Sequence, residues 1–393
     1  MKKKIMFMLI NMNIGGTEKA LLNMIAEMPR DQYEITIMLL EPRGAFLEMI
    51  PAYIQIEYLK GYSHIKEFLN KPLHLIAWKL LKAGKALAVI SALYLYFLLR
   101  VLNNKNAFFK SVLRQYPAVG TDYDIAVAYA GPMDFISYYV VHKIKSKKKI
   151  QWIHFDITRI GFDNRFASKT YKDFDKVFVV SEEGRSKLLQ AIPRLKHKVE
   201  TFKNMISRDL ILSLAEEEIG FEDGFNGIRI LTVGRLSKEK GQDLTIPVLE
   251  RLIENGYNVR WYCVGEGVAR AQYEHMIQQY QLENDYILLG ARINPYPFMK
   301  ECDIYVQPSR HEGYCITLAE ALCFDNPIIS TDFTGAREQI THEQSGLIVN
   351  FDEDQMYQAV RRLLDDEILK MRLKKTEDIK TTDKTYQLEK LYV

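Results

Sequence analysis

In the second half of the chain, short apolar runs end in glycine or charge and give way to helix-forming stretches. Arg229–Val233 runs into Gly234, Arg260–Val264 into Gly265, Tyr286–Leu289 into Gly290, and Pro327–Ser330 into Thr331-Asp332. Ile304–Val306 leads into Arg310–Ala321. Runs this short and apolar read as buried strands. Strands alternating with helices predict a parallel sheet, because parallel neighbours need a crossover between them. The carboxyl ends of such strands share one edge, where open α/β sheets take ligands.

The first half shows the same grammar. Ile5–Ile10 is a strand, Asn13–Glu18 a Gly-rich turn, and Ala20, Leu21, Met24, Ile25 and Met28 mark a helix that stops at Pro29. Tyr33–Leu40, Asp124–Tyr129, Ile150–Ile153, Val177–Val180 and Val199–Phe202 follow as strands, with Ser181 placed to cap a helix. A chain of 393 residues is long enough for two such domains. The texture changes over 207–227, where Glu216-Glu217-Glu218 precedes Gly220, Gly224 and Gly227. The expected division is therefore a domain at 1–206, a linker at 207–227 and a second domain from 228 to 376.

Composition excludes some classes. A net charge of +3 argues against a nucleic-acid partner. Cys263, Cys302, Cys315 and Cys323 show no C-x-x-C spacing, so neither a zinc site nor a disulfide framework is expected, and a reducing cytoplasm fits. Lys2-Lys3-Lys4 before Ile5–Ile10 mimics a signal peptide, but the apolar run is short and no small-residue cleavage site follows.

Residues 60–114 carry ten basic residues against one acid, Glu67. Inside lies Ala86–Leu99, almost wholly apolar but shorter than the roughly 20 residues a helix needs to cross a bilayer. Trp78, Tyr94, Tyr96 and flanking lysines suit an anionic membrane surface. The alternative is a buried core helix with solvated basic ends.

Chemistry concentrates at the strand ends. Glu312 falls in the turn after Ile304–Val306, and Glu320 in the helix that follows. Amides of Gly313, Tyr314, Cys315, Ile316 and Thr317 at the helix start favour phosphate, and carboxylates beside them suit hydroxyls. A ligand with both is a sugar nucleotide. Arg235 and Lys240, on the loop after Gly234, can supply the cations that a departing diphosphate needs. Thr317-x-x-Glu320 is also a capping-box pattern, so Glu320 has a purely structural alternative. Gly15-Gly16 either lets backbone approach a phosphate or makes a tight turn with Thr17 as cap. Asp122-Tyr123-Asp124 invites a metal reading, but its place at a strand's entrance favours a structural role. His154 and Asp156 sit at a strand's carboxyl end, where a ligand role and a structural role both remain open.

Gly15-Gly16, Gly-Arg-Leu-x-x-x-Lys-Gly at 234–241, Gly265-Glu266-Gly267 and the E-x7-E pair Glu312 to Glu320 together resemble family 4 retaining glycosyltransferases. The resemblance covers nearly the whole chain. It implies the GT-B fold: two Rossmann-like domains facing across a cleft, with a C-terminal helix, here 377–393, returning to the first domain. It implies that Glu312 meets the donor sugar's hydroxyls, Glu320 the ribose, and Arg235 and Lys240 the diphosphate. Gly265, Glu266 and the Gly313–Thr317 segment join the donor site, Arg292 and Ile293 pack the nucleobase, and His154 lies near the reacting sugar. It also implies metal-independent retention without a cofactor. The expected function is transfer from a nucleotide sugar to a saccharide or lipid-linked acceptor in cell-surface polysaccharide synthesis, peripherally at the cytoplasmic membrane face. The alternatives are a soluble transferase, a nucleotide-sugar epimerase of the same fold, or a non-catalytic partner of a transferase.

Overall fold

The computed structural model describes residues 2–158, 161–374 and 384–392. Packing divides the chain into two units, Met1–Gly15 with Met28–Phe202, and Gly16–Glu27 with Lys203–Val393. This differs from the expected division at 206 and 227. Asn204, Met205 and Ser207 are already buried, and the Ser207 amide donates to Asn23 Oδ1 at 3.0 Å. The Gly16–Glu27 helix (α1) packs on the Ile316–Ala321 helix and so groups with the second unit. Of the expected returning segment, 377–383 and 393 lie outside the described residues, and the Lys384–Glu389 helix is also grouped with the second unit.

The first unit is built on β1 (Lys3–Leu9), β2 (Tyr33–Leu39), β3 (Gln55–Tyr58), β4 (Val119–Ala128), β5 (Ile144–Ile153), β6 (Lys176–Val179) and β7 (Val199–Thr201). Among the described residues they form one sheet in the order β3-β2-β1-β4-β5-β6-β7, parallel throughout. The basic run at 143–149 is mostly strand, lying within β5. Its lysines answer the acids of β4: Lys145 pairs with Asp122 and Lys147 with Asp124 at 2.7 Å. Asp124 also accepts the Lys4 amide, so the D-x-D carboxylates serve strand pairing.

The helices Tyr62–Asn70 (α2), Leu73–Lys82 (α3) and Ala86–Tyr96 (α4) occupy the basic stretch. α4 turns Ala92 and Leu95 inward, and Leu98 and Leu99 just beyond it are buried as well. Leu87, at 83% exposure, and Ile90, at 64%, point out with Leu93, Tyr94 and Phe97. The stretch is a core helix on one side only: Leu95, Leu98 and Leu99 join the core, while the opposite side, apolar apart from Ser91, is left uncovered by the packing. Among the described residues no helix is long and apolar enough to cross a membrane.

The second unit holds β8 (Ile228–Val233), β9 (Val259–Val264), β10 (Tyr286–Gly290), β11 (Ile304–Gln307), β12 (Ile328–Thr331) and β13 (Leu347–Val349). Among the described residues they lie in the order β10-β9-β8-β11-β12-β13, all parallel. Both faces are covered, which is why the strands read as unbroken apolar runs. Ile230, Trp261, Ile304, Val306 and Ile329 enter one core, and their neighbours Leu231, Tyr262, Tyr305 and Ile328 enter the other. Chain order reverses between β8 and β11, so the loops leaving those two strands open side by side.

Candidate functional site

The loops after β8 and β11 are stitched by backbone. The amides of Arg310 and His311 reach the Glu239 carbonyl, at 2.8 and 3.4 Å. Gly241 makes this approach possible. It has φ +74°, and a Cβ there would stand 2.0 Å from the Pro308 carbonyl oxygen. Gly265 does the same for the β9 loop, where a Cβ would meet Gly234 O at 1.9 Å. Arg310 locks the junction with a bidentate pair to Asp243 and lies 3.9 Å over the Phe351 ring.

This stitching brings Lys240 Nζ to 2.5 Å from Glu312 Oε1. Burial alone would lower the Lys240 pKa, but the adjacent Glu312 carboxylate outweighs it and the net shift is upward. Behind Glu312 runs a buried polar chain. Ser309 Oγ donates to Glu312 Oε1 at 2.8 Å, and Gln307 Nε2 donates to Ser309 Oγ at 2.9 Å. Gln307 Oε1 in turn accepts Tyr305 Oη and Thr317 Oγ1. Glu312 is thus held from below, with Oε2 outside both of its bonds. Sequence reasoning passed over Gln307 and Ser309, although two polar residues just past a buried strand were the available signal.

Arg235 is on the same loop but its side chain is 63% exposed, and among the described residues its ion pair is a 3.6 Å pairing to Glu239. It is a cation free to turn toward a ligand. Glu266 is paired with Arg270, and Arg292 and Ile293 are exposed on the loop after β10. Gly313, Tyr314, Cys315, Ile316 and Thr317 lead from the Glu312 turn into the Ile316–Ala321 helix.

The capping-box alternative for Glu320 is corrected. The helix starts after Cys315, Thr317 gives its hydroxyl to Gln307, and no side chain caps the end. Glu320 is 0% exposed, and both its oxygens are engaged. Oε2 takes Lys19 Nζ at 2.9 Å and Oε1 takes Tyr296 Oη at 2.8 Å. Lys19 also sits 4.5 Å from the centroid of the Tyr296 ring. Neither Lys19 nor Tyr296 was legible as a site residue, since 301 positions separate Lys19 from its partner. Gly16, at the start of α1, abuts Ile316: a Cβ there would lie 3.8 Å from its Cδ1. Glu18, next along, has its carboxyl pushed up to about 7 by burial, opposed by the charge of Arg235.

Gly15 and His154 belong to the first unit. His154 follows β5, as its sequence position suggested, and is buried against Tyr129 and Trp152. Its ring is hydrogen-bonded to the Tyr129 backbone, while Nε2 is buried with no partner among the described residues. Burial pushes its pKa from 6.5 down to about 3, so the imidazole is neutral at physiological pH. The folded state then binds no proton where the unfolded one does, and stability falls as pH drops below 6.5. The loss approaches about 1.4 kcal/mol per pH unit. Denaturant unfolding of His154→Asn should therefore show a pH 7 to pH 5 stability drop smaller by about 2 kcal/mol. An unchanged drop would refute the buried neutral state.

Among the described residues no three His, Cys, Asp or Glu side chains gather in a way that could hold a metal ion. The four cysteines are buried free thiols.

Comparison with known proteins places this geometry. A transferase of Campylobacter jejuni, N-acetylgalactosamine-N,N'-diacetylbacillosaminyl-diphospho-undecaprenol 4-alpha-N-acetylgalactosaminyltransferase, is 32% identical over 210 residues, 53% of this chain and 56% of that protein. The match thus spans about half the length of that relative. Over nearly the whole chain the fold is that of solved GT-B structures. HepE of Anabaena, in complex with UDP and glucose, has a TM-score of 0.66 at 18% identity, covering 98% of this chain and 95% of its own. A TarM mutant of S. aureus, in complex with fondaparinux, alpha-GlcNAc-glycerol and UDP, has a TM-score of 0.70 at 14% identity and 99% coverage of both. The family model that matches residues 217–379, and with them the loops carrying Arg235, Lys240, Glu312 and Glu320, is that of the glycosyl transferases group 1.

Proposed function

We propose that the chain is a retaining glycosyltransferase of family 4 that moves a sugar from a nucleotide-diphosphate donor to a lipid-linked saccharide at the cytoplasmic membrane face. The observation that carries this is the Lys240–Glu312 pair, held by Ser309 at the switch point of the second sheet with the exposed Arg235 beside it. A group that must leave as a diphosphate needs cations at the breaking bond, and Arg235 and Lys240 can supply them. Glu312 offers an oriented carboxylate oxygen to sugar hydroxyls, and its anchoring makes that orientation inexpensive in entropy. Two carboxylates could also serve hydrolysis as an acid and a base. Here each carboxylate is instead held by a lysine, Glu312 by Lys240 and the wholly buried Glu320 by Lys19.

In this reading the acceptor hydroxyl attacks on the face from which the diphosphate departs and passes its proton to the leaving phosphate oxygen. The neutral His154, its Nε2 unsatisfied but buried, cannot act as an acid near neutral pH. The lipid-linked acceptor is supported by the diphospho-undecaprenol in the name of the Campylobacter jejuni relative and by the uncovered apolar side of α4.

A hydrolysis screen across nucleotide sugars tests the activity and identifies the donor. Glu312→Ala and Arg235→Ala should each abolish turnover of the hit while the far-ultraviolet spectrum stays unchanged. Full turnover in either variant would sink the site.

A further inference from the structure

Glu320 sets a problem for any donor. On the donor reading above, which this inference rests on, and by the family resemblance of the E-x7-E pair, its carboxylate would receive the ribose hydroxyls. Yet it is wholly buried, with Lys19 on one oxygen and Tyr296 on the other. A carboxylate has about four acceptor sites, so bonding capacity is not what excludes a ribose. Access is, because α1 lies over the group. Lys19 comes from the helix that opens with Gly16, and a turn later Asn23 ties the same helix down. Its Nδ2 donates to the Lys19 carbonyl at 3.1 Å and its Oδ1 accepts the Ser207 amide at 3.0 Å.

We infer that α1 is a gate on the donor site, in which Lys19 occupies the Glu320 carboxylate until the ribose of an incoming nucleoside diphosphate displaces it. Lys19 is then a positioning residue and not a catalytic one. The buried pair suits a gate. Separating it in place would strand a charge in an apolar setting, so Glu320 gives up Lys19 only when another donor of hydrogen bonds arrives. Two vicinal hydroxyls supply those bonds, and the ammonium regains water as it leaves. Glu18, one residue before Lys19, lies in the electrostatic field of Arg235, the cation expected to meet the diphosphate.

The test compares UDP, ADP, GDP and CDP, each with its 2′,3′-dideoxy analogue, by calorimetry. Lys19→Met removes the competitor, so the best-bound ribonucleotide should bind on the order of tenfold tighter, while its dideoxy analogue changes less than about twofold. Hydrogen exchange should show the 16–27 peptide losing protection when the ribonucleotide saturates the wild-type protein, but not with the dideoxy form. The Lys19→Met/Glu320→Gln double variant leaves no uncompensated buried charge and guards against misfolding of the single one. It should bind both nucleotides alike. Weaker or unchanged ribonucleotide binding by a folded Lys19→Met, or full protection of 16–27 at saturation, would overturn the gate alone. No nucleotide binding by any of the proteins would overturn the donor reading and the gate together.

Discussion

Lys240→Met is expected to lower the transfer rate by on the order of 10²–10³-fold and to destabilise the chain by about 3–5 kcal/mol. The two losses have different causes and can be separated. Glu312 is nearly buried, and without Lys240 its charge keeps only the Ser309 hydroxyl. The uncompensated carboxylate accounts for the stability loss. Adding Glu312→Gln removes that charge while keeping its shape and the Ser309 contact, so the double variant should recover most of the stability measured by urea unfolding. It should recover none of the turnover, because both the cation for the diphosphate and the sugar-facing carboxylate are then gone. Turnover that returned with stability would mean the pair is only a structural clasp between the β8 and β11 loops.

The strand ends were readable because both sheets are parallel and buried on both faces. A strand with two covered faces must be an apolar run, and an apolar run that stops at glycine announces the loop. Arg229–Val233, Arg260–Val264 and Ile304–Val306 lie within a residue of β8, β9 and β11 for that reason. β3 and β13 escaped notice because they offer no such run. Gln55–Tyr58 buries none of its residues fully, and Leu347–Val349 is only three residues long. The same contrast runs through the site. Lys240 and Glu312 were legible as polar residues at strand ends, since position in the fold dictates their proximity. The partners of Glu320 were not, because Lys19 belongs by sequence to the first strand–helix unit and reaches Glu320 only through the way α1 packs. Local pattern carries no information on a contact across 301 positions, and it offered a capping box instead.

The uncovered side of α4 leads to the second large effect. Leu87, Ile90, Tyr94 and Phe97 recur at helical spacing, so they present one face, and Trp78 and Leu81 of α3 are exposed as well. Such a face costs free energy in water unless something takes it up. The charges bear on what that is. Glu67, the only acid in 60–114, is held by Lys71 and Lys79, which leaves Lys82, Lys85 and Arg100 exposed beside the apolar face. Lys82 also stacks on Trp78, 3.7 Å from the ring centroid. Basic residues bordering aliphatic and aromatic side chains are what an anionic lipid headgroup layer binds. Each such charge is worth about 1 kcal/mol at that surface, so Lys82→Gln, Lys85→Gln and Arg100→Gln together should weaken partitioning onto phosphatidylglycerol vesicles by on the order of 100-fold. Leu87→Asp with Ile90→Asp should abolish flotation on anionic and neutral vesicles alike. Because those two side chains point away from the core, the thermal midpoint should stay within a few degrees. Wild-type protein that floats equally well with neutral phosphatidylcholine would remove charge from the account. Protein that floats with neither lipid would leave α4 an apolar face awaiting a protein partner, and the acceptor would have to reach the site from solution.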